Sequence, residues 1–134
     1  MSPSLGINLA DTLTTKIQKT ALITGASSGI GLAYALELAK KNFRLSLLSL
    51  DETRLLDQQH LFDKEHTQFL SKDLRNPSVV LEISKEVPAP DVIVANAGVT
   101  LHGRAGSFDV DEKANLYYLL CGGVIDLIES YLPK

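Results

Sequence analysis

Thr24–Gly31 reads TGASSGIG, with the apolar run Ala21-Leu22-Ile23 before it and LAYALELAKK after it. A buried strand that feeds directly into an apolar helix leaves a short turn to reverse the chain. Glycines at 25, 29 and 31 give that turn three things: a tight reversal, main chain bare enough for a ligand to approach, and close seating of the helix on the sheet. The first amides of the helix have no intrahelical acceptor and sit at the positive end of its dipole, so a phosphate fits there. A glycine turn without a ligand would use the same residue types. The intact strand-turn-helix context favours the ligand-bound reading.

The pattern continues outward from that turn. Lys19–Thr24 is expected as a first strand and Ile30–Lys41 as a largely apolar helix, with Asn42 as the turn that ends it. Arg44–Leu50 reads as a second strand. A polar helix is expected from Glu52 to about Lys64, with Leu55, Leu56 and Leu61 on one side. Gln68–Leu70 makes a short third strand. Pro77 opens a helix through VVLEISKEV that Pro88 and Pro90 stop. Asp91–Ala95 is a fourth strand, and Asn96-Ala97-Gly98 is the turn after it. Leu101–Asp109 reads as loop, and about Asp111 to Leu132 as one long helix weakened in the middle by Gly122 and Gly123. Strands this rich in Val, Ile and Leu require a sheet covered on both faces. The order βαβαβαβα with right-handed crossovers therefore predicts an α/β fold, an open doubly wound parallel sheet of four strands.

Bulk properties exclude several classes. The 134 residues are enough for one domain with its own core, and 45% hydrophobic with 22% charged residues is ordinary globular composition. A net charge of -3 supplies no basic footprint for nucleic acid or an anionic membrane. The N-terminal residues lack a basic start followed by an apolar stretch, and no run is long enough to span a bilayer, so the expected location is cytoplasmic. Cys121 is the single cysteine and reads as a small buried hydrophobe. His60, His66 and His102 have no metal-ligand spacing, so no metal is expected. His102 and Arg104 read as solvated loop residues.

The spacing Gly25-x3-Gly29-x-Gly31, together with Asn96-Ala97-Gly98 after the fourth strand, resembles the short-chain dehydrogenase/reductase family over about Lys19–Lys134. Residues 1–18 then form an N-terminal extension without a match, and 19–134 a partial Rossmann domain. The resemblance implies a nicotinamide dinucleotide, NAD(P), and a small alcohol or carbonyl substrate. It implies that Gly25, Ser27, Ser28, Gly29, Ile30 and Gly31 border the phosphates and ribose, that Asp73 and Leu74 meet the adenine, and that Asn96, Ala97 and Gly98 line the nicotinamide-side ribose. The family's acidic position, which binds a ribose 2'-hydroxyl, falls on Ser49 and its arginine position on Leu50. Asp51 follows too late and reads as a helix cap. With no acid at 49 to repel a phosphate, the reading leans slightly to NADP.

The family's catalytic tyrosine is followed four residues later by a lysine, because an ammonium lowers the phenol's pKa toward neutrality. Here Tyr34 is followed at that distance by Leu38, Tyr117 by Cys121 and Tyr118 by Gly122, while Tyr131 precedes Lys134 by three. No Tyr-x-x-x-Lys exists in these residues. Asn115 is the remaining candidate for the family's relay asparagine, but register from Gly123 and Leu132-Pro133 puts Leu120 there. In the family, the serine, tyrosine and lysine follow the segment matching Leu132-Pro133-Lys134, so the resemblance implies roughly the first half of the fold. That half leaves the fourth strand at an edge and the apolar face of the last helix uncovered. Pairing through that helix into a homo-oligomer is implied, and a non-catalytic nucleotide-binding or interaction module is the alternative.

Overall fold

The computed structural model describes residues 18–134, so the N-terminal extension lies outside the described residues except for Gln18. Four parallel strands form one sheet: β1 (Thr20–Thr24), β2 (Arg44–Ser49), β3 (Thr67–Ser71) and β4 (Val92–Val94), in the order β3-β2-β1-β4. The helices are α1 (Gly29–Lys40), α2 (Glu52–Asp57), α3 (Pro77–Glu86), α4 (Val110–Tyr117) and α5 (Gly123–Glu129), the last two joined by a π turn over Tyr118–Gly122. The chain moves outward from β1 to β3, then returns through α3 to place β4 on the other side of β1. The strand order therefore reverses between β1 and β4, which opens a crevice at their carboxyl ends.

Alternation along the strands divides the core. Ala21, Ile23, Leu45 and Leu47 face one side, where Ala35 of α1, Leu55 of α2 and Phe62 cover them. Leu22 and Leu48 face the other side, against Val80 and Ile83 of α3 and Leu127 of α5. Leu22, Ile23 and Leu48 have no solvent exposure, as a sheet sandwiched between helices requires. At the edge, Val92, Ile93 and Val94 are only half-buried.

Several boundaries follow local chemistry. Asn42 ends α1 with a left-handed φ of 62°, and Gln18 donates to its carbonyl at 3.1 Å. The Asp51 carboxylate caps α2 by accepting from the Arg54 amide at 3.0 Å. Asn76 caps α3 by accepting from the Ser78 amide at 3.0 Å, with Pro77 in the first turn, where no amide is needed. Asp109 and Glu112 form a reciprocal capping box at the start of α4.

The helix expected from Glu52 to about Lys64 is shorter. It stops at Asp57 and passes through a 3-10 turn (Gln59–Leu61), because Phe62 must swing into the core, where its ring meets Phe69 edge-on at 6.0 Å. Leu55 is buried as expected, but Leu56 and Leu61 are exposed, and Phe62 takes the inward role. The long final helix is continuous but not uniformly α. Its π turn ends at Gly122, and Gly123 lets it approach the loop after β3: a Cβ there would lie 3.0 Å from the Tyr118 carbonyl oxygen and 3.5 Å from that of Leu74. Cys121 corrects the sequence reading, since it lies on the solvent side of that turn and is exposed.

Candidate functional site

The β1–α1 turn is held open by its own geometry. Gly25 has φ 64° and Gly29 has φ 55°, both left-handed, where a side chain is strained. Gly31 meets a different demand, because a Cβ there would run into the Gly25 carbonyl oxygen and the Asn96 side chain. Glycine at 31 is thus what lets α1 sit directly on the turn. Ser28 occupies the cap position in extended conformation, but its side chain makes no capping bond, and the first turn of α1 carries no acid. The Ala26 amide is used by the fold, donating to the Leu48 carbonyl at 3.0 Å. Among the described residues, the amides of Ser28, Gly29, Ile30 and Gly31 donate to no protein acceptor. A twelve-residue helix therefore presents an uncapped positive end. Ile30 stands at the mouth of the turn, 68% exposed.

The strand-end turn of β4 locks onto the glycine turn. Asn96 Nδ2 donates to the carbonyls of Thr24 (3.3 Å) and Gly25 (3.2 Å). In return, Thr24 Oγ1 accepts from the amides of Asn96 (3.0 Å) and Ala97 (2.9 Å). Thr24, 2% exposed, is a residue that sequence reasoning missed. Its signal is a buried hydroxyl at the last position of a central strand, where the strand beside it ends in exposed amides. Gly98 is covered by Leu120, whose Cδ2 would lie 3.2 Å from a Cβ at that position.

On the other side of the crevice, Ser27 and Ser49 share a buried hydroxyl–hydroxyl bond of 2.7 Å, and Ser49 Oγ also accepts from the Asp51 amide at 3.2 Å. Ser49 is thus turned inward, tying the end of β2 to the glycine turn. Between these walls lies a cleft of about 300 Å³ bordered by Gly25, Ser49, Leu50, Asp73, Leu74, Arg75, Ala97, Gly98 and Leu119. Asp73 and Arg75 form a two-pronged ion pair at its rim, Nε to Oδ1 and Nη2 to Oδ2, both 2.9 Å. The bonded guanidinium holds the Asp73 carboxyl below the usual carboxylate range, and the carboxylate in turn raises Arg75. Lys72, also at the cleft, is drawn to Glu86 of α3.

The sequence candidates thus separate into two groups. Gly25, Ser49, Asp73, Leu74, Ala97 and Gly98 border one cleft at the carboxyl ends of the strands, and Asn96 is tied to it through the Gly25 carbonyl. Asn115 does not join them: it is exposed, in a shallow depression shared with Asp73, Arg75, Asn76 and Pro77. Tyr118 and Tyr131 are both pushed up to about 12, by burial first, with the Asp126 carboxylate adding to the effect on Tyr118. That is the opposite of what a proton-exchanging phenol needs. The three histidines bond locally and apart, His60 to the Asp57 carbonyl, His66 to Asp63 and His102 to Thr100.

The model of the family described as short chain dehydrogenase matches residues 19–134. The chain belongs to this family. It is 28% identical over 121 residues to an NADPH-dependent pterin aldehyde reductase of Arabidopsis thaliana, covering 86% of this chain and 50% of that protein. It is 32% identical over 104 residues to a very-long-chain 3-oxoacyl-CoA reductase of Kluyveromyces lactis, covering 72% and 30%. Among solved structures, a short-chain dehydrogenase from Sphingobium yanoikuyae in complex with NADPH superposes with a TM-score of 0.74 at 28% identity, over 84% of this chain and 47% of that one. The chain spans about half the length, or less, of these relatives. The shared part is the parallel sheet with its glycine turn, a Rossmann-type fold.

Proposed function

We propose that residues 19–134 form the nucleotide-binding half of an NAD(P)-dependent oxidoreductase acting on an alcohol or carbonyl, with the catalytic serine, tyrosine and lysine supplied from outside these 134 residues. The observation that supports this best is the uncapped start of α1. Amides without protein acceptors stand beside a turn whose Gly25 borders the crevice, and a Cβ at Gly25 or Gly31 would close the turn against Asn96. A dinucleotide pyrophosphate satisfies those amides. The nicotinamide supplies or accepts a hydride when bound; the chain's own residues position it. In this reading Gly25, Ser27, Ser28, Gly29, Ile30 and Gly31 border the pyrophosphate and its ribose, and Asn96, Ala97 and Gly98 line the ribose nearer the nicotinamide. Asp73 and Leu74 receive the adenine. Ser49 offers a hydroxyl at the position where the family carries its ribose-binding acid, which favours NADP slightly over NAD. The relatives point the same way, since the Arabidopsis reductase is NADPH-dependent and the Sphingobium structure contains NADPH.

Leu120, packed on Gly98, stands where the family's register expects the relay asparagine, so Asn115 is assigned a surface role. No helix among the described residues is long and apolar enough to cross a membrane, and a cytoplasmic location with residues 1–18 as an extension fits this reading. Tyr117, Leu120, Ile125, Ile128 and Leu132 expose an apolar stripe along the last helix, which supports pairing with a second copy. The same stripe supports a second reading, a non-catalytic nucleotide-binding or interaction module. Titrating the purified chain with NADPH and NADH and following nicotinamide fluorescence tests the shared claim: saturable binding is expected, and none for either nucleotide refutes it. The coding sequence beyond Lys134 separates the two readings, since the first requires a strand ending in serine followed by Tyr-x-x-x-Lys.

A further inference from the structure

We infer that Tyr118 is a positioning residue: its hydrogen bond to Asp126 holds the π turn in the register that sets Leu119 and Leu120 against the crevice. The consequence for ligand binding rests on the nucleotide reading above. The Tyr118 hydroxyl donates to Asp126 Oδ2 at 2.8 Å, across eight residues of helix. At about 100° per residue, positions eight apart in an uninterrupted α-helix stand about 80° out of line, whereas positions about seven apart come within about 20°. A π turn takes up one residue more than an α turn. The turn over Tyr118–Gly122, closed by the Gly123 amide on the Tyr118 carbonyl, therefore brings Tyr118 and Asp126 onto one face. The side-chain bond and the π turn hold each other in place. Gly122 and Gly123 make room for the bond, because the Tyr118 ring lies across them. A Cβ at Gly122 would stand 3.0 Å from its Cδ2, and one at Gly123 3.2 Å from its Cε1.

The turn reaches both sides of the cleft. Leu119, buried, borders it, and Leu120 covers Gly98. Gly123 seats against the Leu74 carbonyl, on the β3 side. Were the helix to become α throughout, the residues before the turn would rotate by about 100° relative to those after it. α5 is anchored against this, since Leu127 belongs to the core with Leu22, Leu48 and Ile83. α4 buries no residue, so it would yield and carry Leu119 and Leu120 off the crevice.

The test uses Tyr118→Phe, Asp126→Ala and Asp126→Asn. Amide hydrogen exchange of the nucleotide-free chain reads the register. Exchange across residues 118–123 should rise roughly tenfold in Tyr118→Phe and Asp126→Ala and stay near wild type in Asp126→Asn, whose amide oxygen still accepts, with α1 unchanged in all three. Fluorescence titration with NADPH reads the positioning, since apparent affinity follows the fraction of molecules in the competent register. Tyr118→Phe and Asp126→Ala should bind about three- to tenfold more weakly, their combination no more weakly than either alone, and Asp126→Asn within about twofold of wild type. Unchanged exchange in Tyr118→Phe overturns the register lock. Faster exchange with unchanged NADPH affinity makes the bond a structural tie and overturns the positioning role. Equal weakening by Asp126→Asn and Asp126→Ala would make charge the cause and overturn it too. A wild type that binds no NADPH defeats the nucleotide reading and the positioning role together, and exchange alone then judges the lock.

Discussion

Gly31→Ala is the sharpest probe of the site's construction. The new methyl would overlap the Gly25 carbonyl oxygen, lie 2.9 Å from the Gly25 carbonyl carbon and press on Asn96 Nδ2. Two of those atoms are main chain and cannot rotate away, so α1 must lift from the turn or the turn must deform. Overpacking of this kind costs about 1–3 kcal/mol. If Asn96 is displaced, its two bonds to the Thr24 and Gly25 carbonyls are lost, about 1 kcal/mol each. Replacing a helical glycine returns up to about 1 kcal/mol. The net loss is about 2–4 kcal/mol, a large share of the roughly 5–15 kcal/mol that holds a domain together. Urea unfolding followed by far-ultraviolet circular dichroism should show the midpoint falling by about 1–2 M. Gly29→Ala is the companion: nothing lies within 4 Å of its new methyl, so only the strain of φ 55° remains, about 1–2 kcal/mol. A Gly31→Ala midpoint at or above the wild-type value would refute the close approach of α1 to the turn.

Thr24→Val removes the hydroxyl that accepts from the Ala97 amide and should cost about 1–3 kcal/mol in the same assay, with Thr24→Ser recovering most of it. Ser49→Asp places an acid at the ribose end of the crevice and should move the ratio of NADH to NADPH affinity toward NADH by about tenfold or more, read by fluorescence titration; an unchanged ratio removes Ser49 from cofactor choice. Tyr118 and Tyr131, held at about 12 in the folded chain, should ionise late in an absorbance titration at the tyrosinate band. Raised folded-state values mean that their contribution to stability is complete below about pH 10, where a free phenol titrates, and is lost as pH climbs toward 12.

Much of this architecture was legible because it depends on local pattern. The strands around Leu22, Leu47 and Ile93 are too apolar for anything but a covered sheet, and the glycine spacing has few other mechanical uses. Pro77 marked a helix start because its missing amide suits only that place. What escaped depends on contacts between residues far apart in sequence. Phe62 leaves the helical pattern because Phe69 waits across the core, a partner that periodicity does not reveal. Thr24 looked like the last residue of a strand, and its hydroxyl acquires a task only when β4 arrives beside it. Ser49 stands at the end of a strand that the pattern predicts, but its inward turn to Ser27 is a tertiary event. The π turn depends on the seating of Gly123 over the β3 loop, so helical counting across Tyr118–Gly122 carries one residue too many.

The outward position of Cys121 gives the molecule a built-in gauge. It is the sole thiol, set midway along the greasy stripe of the last helix, so a maleimide dye can react at one place only. Labelling speed then reports whether anything sits on that stripe, without a mutation and without knowing what the covering molecule is.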